Sequence, residues 1–172
     1  MAYTKGKISI PNVTGNIVIT VTAVEMAKEN LLTMNDGKIN KRFNATDTES
    51  NINGYFITDY FAYSGGGLRI VKGNTNIGNL GTTNYGNCRI GFYGANKTFI
   101  SAAYIGRSDG NVITGFNTDG DDLVREDLTT YKGVSDWISV KFIRMTLALN
   151  NAASAIASVD AVLNSGMKIY AE

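Results

Sequence analysis

Histidine is absent from all 172 residues, and that absence closes several chemistries at once. Without imidazole there is no Ser-His-Asp or Cys-His nucleophile system, no His-ligated zinc, and no side chain that ordinarily titrates between about pH 5 and 8. Cysteine occurs once, at Cys88, so an internal disulfide is excluded. Between Asn87 and Arg89, at the start of an apolar alternation, Cys88 reads as a small buried hydrophobe with no base to activate it. The single proline, Pro11, precedes a strand-like run, where a missing N–H breaks no ladder hydrogen bond. No apolar run is long enough for a membrane span, and "MAYTKGK" is not followed by the apolar core of a signal peptide. Synthesis in the cytoplasm without a membrane partner is therefore expected. With 16 basic and 15 acidic residues and a net charge of +1, the chain lacks the electrostatic footprint of a nucleic-acid binder. Nothing in the sequence asks for a cofactor.

What the chain does have is strand and turn signal. After Gly15-Asn16, Ile17, Ile19, Val21 and Ala23 fall on one face and Val18, Thr20, Thr22 and Val24 on the other, a period-two β-branched pattern. Residues 25–32 suit either one helical turn or an extended linker. Residues 33–53 are poor in apolar side chains and rich in turn formers, which predicts a surface loop with at most a short edge strand. "GYFITDYFAY" (54–63) carries aromatics on both parities, as a strand covered on both faces does, whether by a second sheet or by a neighbouring subunit. Gly65-Gly66-Gly67 lacks the spacing and context of a phosphate cradle and reads as a turn into "LRIV" (68–71). Residues 73–87 form a long polar loop.

Cys88, Ile90 and Phe92 alternate with Arg89, Gly91 and Tyr93, and "GANK" (94–97) turns the chain into "TFIS", a hairpin signal. Further strands are expected at 102–106 and 111–116. From Trp137 to Leu149 the apolar parity changes midway, which a β-bulge near Phe142-Ile143 would reconcile. Residues 152–163 place Ala152, Ile156, Val159 and Leu163 on one helical stripe, capped by Asn150 or Asn151 and stopped by Asn164-Ser165-Gly166, with an extended Ala-rich loop as the rival. A terminal strand is expected at 167–171. The sum is an all-β, jelly-roll-like β-sandwich of roughly eight strands, long enough to bury about two thirds of its unfolded surface. It comprises an N-terminal connecting strand over 1–25 and a sandwich domain over 26–172, with a short helix near the C-terminus.

Three residue sets point toward chemistry. In "NTDGDDLVRED" (117–127), Asn117, Asp119 and Asp121 alternate as oxygen ligands do in calcium loops, but Gly120 comes too early and the distal glutamate is missing. An acidic turn is the plainer reading. The same stretch offers Glu126 and Asp127 as a carboxylate pair for glycan cleavage, which needs two carboxyls facing each other about 5–9 Å apart, one held protonated, and a crowded loop shows no sign of that. The second set is aromatic: Tyr63, Tyr85, Tyr104, Tyr131 and Trp137, interleaved with amides such as Asn84. Rings beside amides suit the C–H faces and hydroxyl rims of sugars, whereas the plainer reading has Trp137 capping the core and the tyrosines covering edges. The third set, sequons at Asn12, Asn44 and Asn96, means little without a secretory signal.

The string "IPNVTGNIVIT" (10–20), followed in order by "NLLTMNDGKIN" (30–40), "GYFITDYFAY" (54–63), "CRIGFYGANKTFIS" (88–101) and "WISVKFIRMTL" (137–147), resembles structural proteins of tailed bacteriophages and prophages: tail fibres, baseplates and related appendages. Gly94-Ala95 stands where that family often has an Asp-Ser pair, and the tail after Leu149 carries none of the resemblance. The resemblance implies a non-enzymatic virion component, found as a homotrimer or attached to other virion proteins, with a host-surface glycan as a further partner. On that view Ile17, Ile19 and Val21 belong to an assembly strand that joins the module to a sister subunit or the particle. The rivals are a free carbohydrate-binding module and a glycan depolymerase.

Overall fold

The computed structural model describes residues 28–73, 88–105, 116–120, 122–149 and 154–172. Their strands are β1 (Lys38–Phe43), β2 (Glu49–Ile57), β3 (Phe61–Ala62), β4 (Leu68–Val71), β5 (Arg89–Tyr93), β6 (Phe99–Tyr104), β7 (Asn117–Asp119), β8 (Asp122–Arg125), β9 (Phe142–Ala148) and β10 (Lys168–Ala171), with one helix, α1 (Val159–Leu163). They form two sheets, ordered β1-β2-β9-β5-β6 with β3 also on β9, and β10-β4-β8-β7. Every pairing is antiparallel. The chain is thus the expected all-β sandwich.

Strand alternation builds the core. On the larger sheet Phe56 lies opposite Leu147, Ile90 opposite Met145, and Phe92 opposite Ile143. On the smaller, Ile70 lies between Leu123 and Ile169. All nine are buried in one cluster, so the period-two apolar faces meet across the layers. The other face of the small sheet is polar and centres on Arg69, whose guanidinium donates to Asp119, Asp122 and Glu172.

The outer face of the large sheet is also closed, and by the chain itself. Between Ile39 and Lys41 the β1–β2 register shifts: Ile39 lies opposite Phe56, but Lys41 lies opposite Asn51. This wide bulge swings the far end of the hairpin back over the sheet, where the Tyr93 hydroxyl donates to Asp47 at 2.6 Å and Arg144 donates to Glu49 at 3.0 Å. Phe43 and Ile57 are fully buried beneath it. The two-sided burial of 54–63 is therefore intramolecular and gives no argument for a neighbouring subunit.

Several expectations need correction. Residues 33–53 are not mainly loop: they supply all of β1 and the start of β2. Residues 54–63 are not one strand, because Thr58–Tyr60 interrupt it. The Thr58 hydroxyl accepts from Met145 N–H in place of a ladder carbonyl, and Asp59 turns to accept from Thr33 Oγ1 and the N–H groups of Asn35 and Asp36. Residues 99–104 form one strand, β6, rather than two. The parity change after Trp137 is no bulge: residues 137–139 form a 3₁₀ turn and the strand starts at Phe142. The helix begins only at Val159, capped by Ser158 instead of Asn150 or Asn151. The GANK hairpin, the Asn164-Ser165-Gly166 stop and the terminal strand stand as expected. The connecting strand and residues 111–115 lie outside the described residues.

Candidate functional site

The aromatic set divides. Tyr63 and Trp137 come together with ring centroids 6.0 Å apart, Trp137 meets Phe92 edge-on at 5.0 Å, and Phe92 stacks on Tyr131 at 5.5 Å. This row runs from the core to the surface, so Trp137 does cap the core, as the plainer reading had it. Tyr104 is elsewhere: it pairs with Arg89 at the other end of β5, with the Arg89 guanidinium 3.6 Å from its ring centroid. Tyr85 and Asn84 lie outside the described residues.

Where the row surfaces, it walls a cleft of about 300 Å³ lined by Tyr63, Thr129, Trp137, Ile138, Val140 and Lys141 among others. Three short segments hold its shape. Asp136 caps the 137–139 turn, accepting from Ile138 N–H at 3.1 Å and from the Ser139 hydroxyl. Tyr63 N–H donates to the Lys141 carbonyl at 2.8 Å, and Leu128 N–H to the Gly66 carbonyl at 3.1 Å, which ties the loop after β3 to both turns. Asp127 caps the 128–130 turn through Thr129 N–H at 2.8 Å and the Thr129 hydroxyl at 2.6 Å. The Tyr63 hydroxyl donates to the Gly66 carbonyl at 2.9 Å. Burial, with the Asp127 charge added, pushes that phenol up to about 12, so it remains a neutral donor.

Two features of this cleft escape simple packing. Ile138 is 84% exposed, although the turn that carries it is held in place. The Trp137 indole N–H is covered yet meets no acceptor among the described residues, which leaves a donor unsatisfied at a cost of about 1–3 kcal/mol. Sequence reading singled out Tyr63 and Trp137 but missed Thr129, Ile138 and Lys141. The available signal was the parity change itself, which puts Ile138 on the wrong face for a core strand.

The acidic stretch is described in part, as a hairpin whose described carboxylates turn to an arginine. β7 and β8 form a tight hairpin in which Asp119 lies opposite Asp122 and Gly120 takes φ +62°, as a two-residue turn requires. Asp119 and Asp122 both accept from Arg69, at 2.9 and 3.1 Å. One guanidinium is thus shared between the two carboxylates and Glu172. Asn117 opens β7, and Asp121 lies outside the described residues. Among the described residues no group of three acidic or thiol ligands gathers around one point. Asp127 is held below the usual carboxylate range by its bonds to Thr129, opposite to what a general acid needs. Cys88 is buried, and burial pushes its thiol up to about 12.

No helix among the described residues is long and apolar enough to cross a membrane. No protein-family model, curated protein or solved structure matches the chain.

Proposed function

We propose that the chain is a non-enzymatic structural component of a bacteriophage virion, a tail-fibre, baseplate or head-fibre protein that acts in host-surface attachment or particle assembly. The observation that carries the reading is the apolar contact surface where the Trp137 row emerges between two capped turns, with Ile138 projecting from one of them. A surface fixed in advance binds without the entropic cost of ordering loops, which suits adhesion. The resemblance of the strings at 10–20, 30–40, 54–63, 88–101 and 137–147 to phage structural proteins is the reading's other support. Assembly as a homotrimer, through the alternating strand at Ile17, Ile19 and Val21, belongs to the same reading.

The test is genetic. Removing the gene from the prophage or phage that encodes it should yield particles that fail to assemble or fail to adsorb to the host. Unchanged particle yield together with unchanged adsorption would refute the proposal. The cleft also favours a second reading, a free carbohydrate-binding module. Light scattering separates the two, since the free module is a monomer and the assembly component is a multimer.

A further inference from the structure

We propose that residues 41–51 form an acid-released strap: protonation of Glu49 and Asp47 frees the folded-back hairpin from β5 and β9 while the two sheets stay folded, and uncovers a cationic, aromatic face.

The hinge is built into the pairing. At the β1–β2 bulge the partners step from Ile39 and Phe56 to Lys41 and Asn51, and both strands turn there through left-handed residues, Asn40 at φ 53° and Gly54 at φ 76°. Beyond the hinge the hairpin is lightly held. Phe43 is the one buried side chain in 41–51. Among the described residues, the hydrogen bonds that tie this segment down onto the sheet end on its two carboxylates. Asp47 accepts from the Tyr93 hydroxyl at 2.6 Å, and Glu49 accepts from Arg144 at 3.0 Å and from Lys38 at 2.8 Å.

Arg144 turns these bonds into a switch. It is 5% exposed, and its guanidinium lies 5.9 Å from the Phe43 ring centroid, so the strap helps to cover it. Glu49 is its close acceptor and its counter-charge; the Thr58 carbonyl and the Tyr60 hydroxyl stand off at 3.4 Å. A covered cation whose counter-charge is neutralised strongly disfavours the closed form, and lifting the strap returns it to water.

The groups facing the two carboxylates are Lys38 and Lys41 from β1, Arg144 from β9, Tyr93 from β5 and Tyr60 from the segment after β2, with Lys97 4.7 Å from the Tyr60 ring centroid. Ammonium, guanidinium and phenol groups do not titrate in acid, so the carboxylates decide. Burial raises the Glu49 carboxyl, but bonds from Lys38 and Arg144 outweigh it and hold the group below its usual value. Closure is therefore supported above the ordinary value of about 4.3 and loses that support as pH falls through the lower, closed-state value.

Peptide-resolved hydrogen exchange of the full chain tests this, with protection taken against the unfolded chain at each pH. A two-stranded hairpin off its sheet is marginally stable, so release melts it. Amides of 42–50 should lose about tenfold or more of their protection between about pH 6 and pH 3.5, while those of β5 and β9 keep theirs. Glu49→Gln should release the strap at neutral pH, and adding Arg144→Met should close it again at both pH values, since no charge is then left covered. Simultaneous loss of protection in 42–50, β5 and β9 overturns the proposal, because acid then unfolds the whole domain. So does a strap still fully protected at pH 3.5, a Glu49→Gln chain that exchanges like the parent at neutral pH, or a double variant as open as the single one. The parent's pH series needs no variant, and it decides the matter alone where a variant does not fold.

Discussion

Asn40 shows how one side chain can organise a distant part of the chain. It sits at the β1 bulge with φ 53°, in the left-handed region that asparagine tolerates better than most residues. Its amide nitrogen donates to the Ile156 carbonyl at 2.8 Å and its oxygen accepts from Ile156 N–H at 2.7 Å. One side chain thereby satisfies both backbone groups of a residue 116 positions away and fastens the approach to α1 onto the β1 edge. Asn40→Asp keeps the acceptor and loses the donor, and should cost roughly 2 kcal/mol in denaturant unfolding. Asp59, 8% exposed and accepting three bonds from 33–36, should be more sensitive: Asp59→Ala is expected to cost about 3 kcal/mol by leaving those N–H groups unpaired. Cys88 makes the converse case, since its thiol is held protonated. It should resist alkylation at neutral pH in the folded chain and react fully once the chain is unfolded. Of these three roles, only that of Cys88 was legible in the sequence, because burial follows from local alternation. Asn40 and Asp59 act on residues far away in sequence, and no periodicity encodes that.

At the scale of elements, the sequence showed strands where alternation was long and uninterrupted, and misled where side chains replaced backbone. β5, β9 and β10 follow their apolar periods. The break at Thr58–Tyr60 does not show, because Thr58 supplies a hydroxyl where a strand residue supplies a carbonyl. β1 and the start of β2 were hidden for another reason: their side chains are mostly polar, and the hairpin is held over the sheet by ions and phenols instead of an apolar stripe. Burial raises the Glu49 carboxyl, but hydrogen bonds from Lys38 and Arg144 outweigh it and hold the group below its usual value. A carboxyl depressed in the folded state adds stability that is fully present above its unfolded value of about 4.3 and is lost as pH falls through the lower folded value. The parent should therefore lose stability as pH falls below about 4.3. Glu49→Gln should start about 1–2 kcal/mol lower at neutral pH and show a flatter acid limb. Gly67 is a steric pin between β4 and β8: a Cβ there would fall 1.9 Å from the Arg125 carbonyl oxygen. Backbone cannot step aside cheaply, so Gly67→Ala should cost about 3 kcal/mol or leave the small sheet unformed, as read by thermal unfolding.

For the molecule as a whole, the centre of the large sheet, at β9, β5 and the end of β2, is buried on both faces from within the chain, while the edge strand β6 stays partly exposed. Among the described residues the cleft at the end of the aromatic row presents an apolar surface, and Tyr63 and Trp137 could be named for it because aromatic residues beside amides are conspicuous in composition. Their company could not be named: Thr129 and Ile138 reach the cleft from two capped turns six residues apart in sequence, Lys141 from just beyond the second, and Tyr104, equally conspicuous, is drawn away by Arg89. On the proposed reading the sandwich works by contact and is carried on a particle. Mass spectrometry of gradient-purified particles from the encoding phage or induced prophage tests that most directly. Peptides of this chain should be found in the particle band, in a fixed ratio to the other structural proteins. Their confinement to the host's unassembled protein fraction, with none in the particles, would contradict the account.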